Sequence, residues 1–392
     1  MLSPDPLQAA ARQLERDRQA TRAFPALFAR KLAKMGGSPL AYLRGSAPLF
    51  YALLAEHPEL AAGPAGEGWL VGDAHLENFG AFRTADARES AVFDVNDFDE
   101  AIIGPLRWDV LRLLTSTILG GRELGSNGKQ SVLLCSSILT GYVDALATNN
   151  VPQNPPAPVR RLLEKVDQRT HKDLLDRRTE RVAGMVRFTR GDRYPELAPE
   201  LVPKARAAFA TYVERLDPEK KLQRDHFAVQ DVAFRVAGNG SLGSLRIAVL
   251  THGKGEPDNL WIFDMKAEGA PSAQALLPAP AEAPAERVRT ATATCLTRPP
   301  RMLGTTELDG QSLFVRRLLP QEDKLDLLHL RAEELPDLAS YLGALLGRVH
   351  ARGIKTPPAR TWDAAELTTL IEQAIVIAGI HESAYLALCK VP

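Results

Sequence analysis

Gly72-Asp73-Ala74-His75-Leu76-Glu77-Asn78-Phe79-Gly80 is the stretch that decides how this chain is read. Asp97 stands nineteen residues past Asn78, within Asn96-Asp97-Phe98-Asp99-Glu100-Ala101, and Gly104-Pro105 and Trp108-Asp109 follow. An aspartate with an amide five residues later, plus a separate acidic pair after a strand hairpin, is the set that magnesium-assisted phosphoryl transfer uses. One carboxylate accepts a hydroxyl proton, and the amide and second aspartate hold Mg²⁺ against nucleotide phosphates. Hard oxygen donors suit magnesium, and a single histidine in the segment argues against zinc. The bland alternative is a metal-free polar turn with acids at strand ends.

The pattern resembles the catalytic and metal segments of the aminoglycoside-phosphotransferase branch of the protein-kinase-like fold. That resemblance implies that Asp73 is the base and that Asn78 and Asp97 are metal ligands, with Asp99 assisting. It makes His75 an orienting residue of the catalytic loop and Asp109 a brace behind it. A second constellation is Gly238-Asn239-Gly240-Ser241-Leu242-Gly243. A lone G-x-G-x-x-G is weak, and a dinucleotide fold needs a helix directly after it. Here Leu245-Arg246-Ile247-Ala248-Val249-Leu250 alternates and reads as a strand. Strand, glycines, strand is the kinase arrangement, in which a hairpin covers nucleotide phosphates. The next strand, Trp261-Ile262-Phe263-Asp264-Met265-Lys266, delivers Lys266 where a kinase lysine meets phosphates. A plain hairpin turn with a strand-end lysine is the rival reading. A kinase helix should then supply a glutamate to that lysine. Glu268, Glu282 and Glu286 are nearby, and none falls within a strong helical pattern.

The order is unusual, because the glycine loop and lysine follow the catalytic segment instead of preceding it. After Lys266 come a weak helical segment at 287–296, the strand Leu313-Phe314-Val315-Arg316-Arg317 and a clear helix at 336–352. Joining residue 352 back to about residue 70 restores the kinase order. The fold expected is α+β, a two-lobe kinase-like fold that is circularly permuted. Its parts are a helical portion at 1–220 carrying the catalytic and metal loops, a β-sheet portion at 221–320, and returning helices at 321–392. The whole pattern resembles the bacterial family known as domain of unknown function 2252. The resemblance rests on Lys34-Met35-Gly36-Gly37-Ser38-Pro39, on residues 72–80 and 93–100, on Trp108-Asp109-Val110-Leu111-Arg112-Leu113, and on Phe314-Val315-Arg316-Arg317-Leu318. It departs at Lys266-Ala267-Glu268, where the family pattern has the acid directly after the lysine.

Further out, residues 7–35 and 46–60 read as helices, and 105–147 as two helices broken at Gly120-Gly121 and at Ser126-Asn127-Gly128. Residues 159–220 read as helix-rich. Between 160 and 190 ten basic residues face five acidic ones, either a solvated face or a cationic wall for a phosphorylated substrate. Residues 72–109 carry nine acids against three bases. The 392-residue chain balances 48 basic with 48 acidic residues, which argues against coating nucleic acid through bulk charge. Three scattered cysteines argue against a disulfide framework or a thiolate zinc site. No signal peptide or membrane span is read, so the expectation is a cytoplasmic protein without a membrane partner. Arg44, Arg112, Arg316, Arg317 and Lys324 are candidate anion binders, Arg44 foremost for its place before a helix start.

These readings make ATP and Mg²⁺ the expected cofactors and a small-molecule or protein hydroxyl the acceptor. Two alternatives stay open: a pseudokinase-like module that binds a nucleotide or metabolite without turnover, and nucleotidyl transfer. A Rossmann oxidoreductase fits least.

Overall fold

Strand Glu67–Leu70 runs antiparallel between Ile102–Pro105 and Ile354–Thr356, with Gly68 opposite Ile354. A Cβ at Gly68 would lie 2.8 Å from the Gly353 carbonyl, so the missing side chain is what lets these distant segments touch. The computed structural model describes residues 5–64, 66–84, 90–216, 224–238, 242–254, 259–359 and 362–390. Asn239, Gly240 and Ser241 of the glycine loop lie outside the described residues.

The chain is a mixed α+β protein with several small sheets. The largest sheet is antiparallel, ordered Gly304–Leu308, Gln311–Leu318, Trp261–Ala267, Arg246–Thr251, Val229–Phe234. Alternation explains its two apolar layers. Ile247, Val249, Phe263, Met265 and Val315 point to one side, where helix Leu201–Glu214 covers them with Phe209 and Tyr212. Ala248, Leu250, Ile262 and Leu318 point to the other and meet Leu174, Phe188 and Tyr194. Residues from the N-terminal side of position 220 therefore pack on both faces of this sheet. Helix Pro284–Cys295 lies between the third and fourth strands of the sheet in chain order. Its proline at the start and buried Val288, Ala291 and Cys295 outweigh its threonines.

The largest core is mainly helical. Helices Gly128–Thr148 and Leu335–Gly353 pack closely because glycines sit at their contact. A Cβ on Gly141 would lie 2.0 Å from the Ser340 carbonyl, and one on Gly343 2.0 Å from that of Ile138. Ile138, Leu345 and Leu346 are fully buried there, each burial contributing about 1.5–3 kcal/mol. Gly128–Thr148 is also long and apolar enough to cross a membrane, although no such stretch was expected. One of its faces, with Leu134, Ile138 and Tyr142, is buried in this core. The N-terminal helix Pro6–Ala20 and the C-terminal helix Ala364–Leu388 share a separate cluster of Ala10, Leu14, Ala384 and Leu388.

Two local expectations need correction. Helix Arg107–Glu123 continues through Gly120-Gly121, and Gly120 serves instead the close approach of Leu76 and Leu40, where a Cβ would meet Leu76 at 2.8 Å. Residues 179–188 form a hairpin, Thr179–Val182 with Met185–Phe188, within the region read as helical. Ala183 and Gly184 make its turn at positive φ.

Candidate active site

The loop after strand Glu67–Leu70 is tied down from behind. Asp109, in the first turn of helix Arg107–Glu123, accepts from the N–H of Val71 at 2.5 Å and of Gly72 at 2.9 Å. His350 Nε2 lies 3.0 Å from the same carboxylate, and Tyr142 Oη lies 2.9 Å from His350 Nδ1. Tyr51 donates to the Gly72 carbonyl at 2.6 Å. These groups are fully buried, so each bond satisfies a polar atom that would otherwise be costly to bury. Gly72 sits at φ +83°, where a Cβ would collide with the Glu100 carbonyl. Glycine therefore lets the Asp73 loop lie directly on the acidic loop at 97–100.

Arg112, one turn beyond Asp109 on the same helix face, donates to Asp73 Oδ1 from Nε at 2.7 Å and also from Nη2. It donates to the Leu43 carbonyl at 2.9 Å, and its guanidinium packs over the Phe50 ring. Asp73 Oδ2 stands 3.6 Å from His75 Nε2, and the side chain keeps 21% of its surface open. Burial pushes the Asp73 carboxyl up to about 7, against the opposing pull of Arg112. His75 Nδ1 accepts the Glu77 N–H at 3.1 Å, capping the short turn Leu76–Asn78. Burial, with the Arg44 and Lys324 charges, holds its imidazole well below its ordinary pKa.

Asn78 donates to the backbone carbonyls of Asp73 at 3.2 Å and Asp97 at 3.1 Å. That bonding links the two loops and leaves the amide Oδ1 as the atom available to a cation. Asp97 is exposed to the cleft, its Oδ1 accepting the Asp99 N–H at 3.2 Å. Among the described residues, no three His, Cys, Asp or Glu side chains gather as a metal cage. The oxygens that could hold a metal here are Asn78 Oδ1 and the Asp97 carboxylate. They fit a hard cation that completes its shell with water and phosphate oxygens, as magnesium does.

The opposite wall is the large sheet. Lys266 pairs with Asp99 and lies 3.3 Å from Glu268. The acid partners of the lysine therefore come from the acidic loop and from the end of its own strand. Of the other candidates, Glu286 is engaged by Arg289 and Thr305, and Glu282 is exposed. Helix Pro284–Cys295 sends a cation toward the site instead. Buried Arg287 donates to the carbonyls of Asp99 at 2.9 Å, Gly269 at 3.0 Å and Ala101. Burial also pushes Glu268 up to about 7, against the pull of Lys266.

Beside Lys266 lies an ionic cluster that the sequence did not announce. Asp264 accepts from Arg246 Nε at 2.8 Å, pairs with Arg235, and lies 3.8 Å from Arg316. Burial works against its ionisation, yet Arg235 and Arg246 hold its carboxyl far below the usual range. Asp264 and Lys266 are two apart on one strand, which was the available signal. That Arg246 lies opposite Lys266, and Arg316 opposite Asp264, is a matter of register.

Both walls line one cleft of about 740 Å³. Asp73, His75, Asn78, Asp97, Asp99, Gly238 and Lys266 all face it. Gly238 has φ +85°, and Lys34 Nζ donates to its carbonyl at 2.8 Å. Gly243 turns away: it sits at φ +109°, with a Cβ position 2.7 Å from the Ala20 carbonyl. It serves close packing against the N-terminal helix instead of a phosphate cradle. None of the cations between 160 and 190 lines the cleft, so the cationic wall is overturned there. Three of them are paired elsewhere, Arg161 with Glu334, Arg169 with Asp323 and Arg190 with Asp231. Arg44, Arg316, Arg317 and Lys324 do line the cleft, with Arg44 bonded to Glu77 and Arg317 stacked 4.2 Å from the Trp261 ring centre.

Residues 22–389 match the family model described as "Uncharacterized protein conserved in bacteria (DUF2252)". The chain belongs to this family. No curated protein and no solved structure matches it. Within this DUF2252 member, the tie between Asp109 and the Asp73 loop and the two-walled cleft are features of the chain itself.

Proposed function

We propose that this DUF2252 protein is an ATP-dependent phosphotransferase of kinase-like architecture acting on an acceptor hydroxyl. One observation carries the reading: a loop with Asp73, Asn78 and Asp97 faces Lys266 and Gly238 across a single cleft, although the two sets are far apart in sequence. The chain order of the sheet supports it. Two strands flank the glycines, a third carries the lysine, a helix follows, and the last two strands complete the sheet. Circular permutation is supported by the strand Ile354–Thr356, which leaves helix Leu335–Gly353 and pairs with the strand feeding the Asp73 loop.

In the proposed step the acceptor oxygen bonds to the terminal phosphorus of ATP while the bond from that phosphorus to the departing diphosphate oxygen breaks. The acceptor proton passes to Asp73. Arg112 grips Oδ1, which orients the carboxylate and leaves Oδ2 on the His75 side for the proton. His75 holds the turn through its cap and is a positioning residue. Lys266 bears on the phosphates once they displace Asp99. Asn78 and Asp97 would hold Mg²⁺, which neutralises phosphate charge when bound.

Calorimetry with a non-hydrolysable ATP analogue tests this. Binding is expected to need magnesium in the wild type and to weaken at least about tenfold in Asp97→Ala, and magnesium-independent binding sinks the model. Asp73→Asn should lower turnover by about 10²–10⁴ while the analogue still binds.

A second reading has its own observation: both key side chains are engaged, Asp73 by Arg112 and Lys266 by Asp99 and Glu268. A nucleotide-binding module without turnover would look the same. Measurable ATP consumption that disappears in Asp73→Asn rules that module out.

A further inference from the structure

The sheet wall of the cleft holds more hydrogen-bond donors than its acids can use. Three arginines converge there: Arg235 directly after strand Val229–Phe234, Arg246 at the start of Arg246–Thr251, and Arg316 within Gln311–Leu318. All three line the cleft and gather around one carboxylate, Asp264, whose side chain is 1% exposed. Oδ1 of Asp264 accepts from Arg246 Nε at 2.8 Å. Oδ2 accepts from Arg246 Nη2 at 2.5 Å and pairs with Arg235. Both oxygens are therefore spent before Arg316 is reached. Arg316 stands 3.8 Å from Asp264 and 3.6 Å from Glu322, outside hydrogen-bond distance of either, with 28% of its side chain open. A guanidinium is a planar fork of N–H donors with no acceptor of its own. Among the described residues, the Arg316 fork has no protein oxygen to fill it.

Register sets this cluster beside the lysine. Arg246 lies opposite Lys266, and Arg316 lies opposite Asp264, two residues earlier on the lysine strand. Two residues along a strand span about 6–7 Å. One extended ligand on this face can thus meet Lys266 and then the arginines. Further along, the same face turns apolar, but Ala248, Ile262 and Leu318 are buried in the cluster with Phe188 and Tyr194 and closed to a ligand. Guanidinium forks match phosphate oxygens two at a time, and a phosphate chain offers such oxygens at every step. We infer that the sheet wall is a phosphate-chain subsite, in which Arg246 and Arg316 hold phosphates that continue from the one at Lys266. Placing that chain on the phosphoryl donor rests on the phosphotransferase reading; the arginine subsite itself does not.

Such a chain comes from a nucleoside triphosphate or from inorganic polyphosphate. Calorimetry with magnesium present separates the two, using the ATP analogue, inorganic tripolyphosphate and adenosine as probes. Tripolyphosphate should bind, compete with the analogue and exceed adenosine by at least about tenfold. The tighter of the two phosphate probes identifies the source of the chain. Arg316→Gln should weaken tripolyphosphate and the analogue alike by about tenfold, with a melting temperature near that of the wild type because the side chain is partly exposed. Glu322→Gln removes the carboxylate that competes for Arg316 and should tighten tripolyphosphate by about threefold. Arg122→Gln, at an exposed pair with Glu382 outside the cleft, should leave both affinities within about twofold. Adenosine binding as tightly as tripolyphosphate, no tripolyphosphate binding, wild-type affinity in Arg316→Gln, or no gain in Glu322→Gln each overturns the inference. Tripolyphosphate binding without any ATP turnover upholds the subsite and defeats the phosphotransferase reading, whereas turnover without tripolyphosphate binding does the reverse.

Discussion

The two walls of the cleft are built on different physics. The loop wall is held by directed bonds to backbone: Asp109 to two N–H groups, Tyr51 to a carbonyl, Asn78 to two more. The sheet wall is held by charge against charge, with Arg235, Arg246 and Arg316 around Asp264 and with Lys266 between Asp99 and Glu268. Directed bonds to buried backbone fix geometry and change little with ionic conditions. Ion clusters respond to pH and to any anion that enters. For the phosphotransfer proposed above, a rigid loop would place the proton acceptor and a charge-tuned sheet would release the lysine.

Three substitutions can break or sharpen that contrast. The largest effect is expected from Asp109→Ala, which strands two buried N–H groups and the His350 ring. It should cost about 3–5 kcal/mol in chemical denaturation and abolish function with it. Near-wild-type stability in that variant would mean the loop wall is not pinned as described.

Asp264→Asn comes next, at about 3 kcal/mol, because Arg235 and Arg246 lose their buried counter-ion. Its signature is pH. The folded carboxyl sits below its unfolded value, so its contribution is present above the ordinary carboxylate range and disappears as pH falls through it. The substituted protein should lose less stability on acidification than the wild type, and an unchanged acid limb contradicts the cluster.

The smallest effect is at Glu268, and it has the opposite sign. Its folded pKa is raised from 4.5 to about 7, so the folded state retains a proton that the unfolded state has released. Its contribution therefore weakens as pH rises from 4.5 to about 7. Glu268→Gln should flatten stability across that interval when melts are compared, whereas an identical slope in both proteins argues against a protonated Glu268.

Part of the cleft lining was legible along the chain. Asp73, Asn78, Asp97 and Lys266 stand in local patterns whose meaning depends on near neighbours: a loop after a strand, an acid after a hairpin, a lysine closing an alternating strand. The brace role of Asp109 was implied by the resemblance to the aminoglycoside-phosphotransferase segments and not by a local pattern. Arg112 stood in view among the anion binders, but its tie to Asp73 needed the observation that it shares a helix face with Asp109. Gly243 packs against Ala20 away from the cleft lining, and a glycine required for close packing and one required at a phosphate look identical in sequence. The hairpin at 179–188 was missed because its strands are largely polar and carry little alternation.

By itself, then, the sequence determined the strands that flank the glycines, the strand that ends in Lys266, the long helices and the acidic character of residues 97–100, since turn preference, alternation and short spacings are properties of adjacent residues. Only the tertiary structure decided that Asp99 meets Lys266, that Arg287 faces the site where a glutamate was sought, and that Arg112 grips Asp73. Those outcomes depend on strand register and on the packing of segments hundreds of residues apart, and no local pattern encodes which distant side chain will arrive opposite a given one.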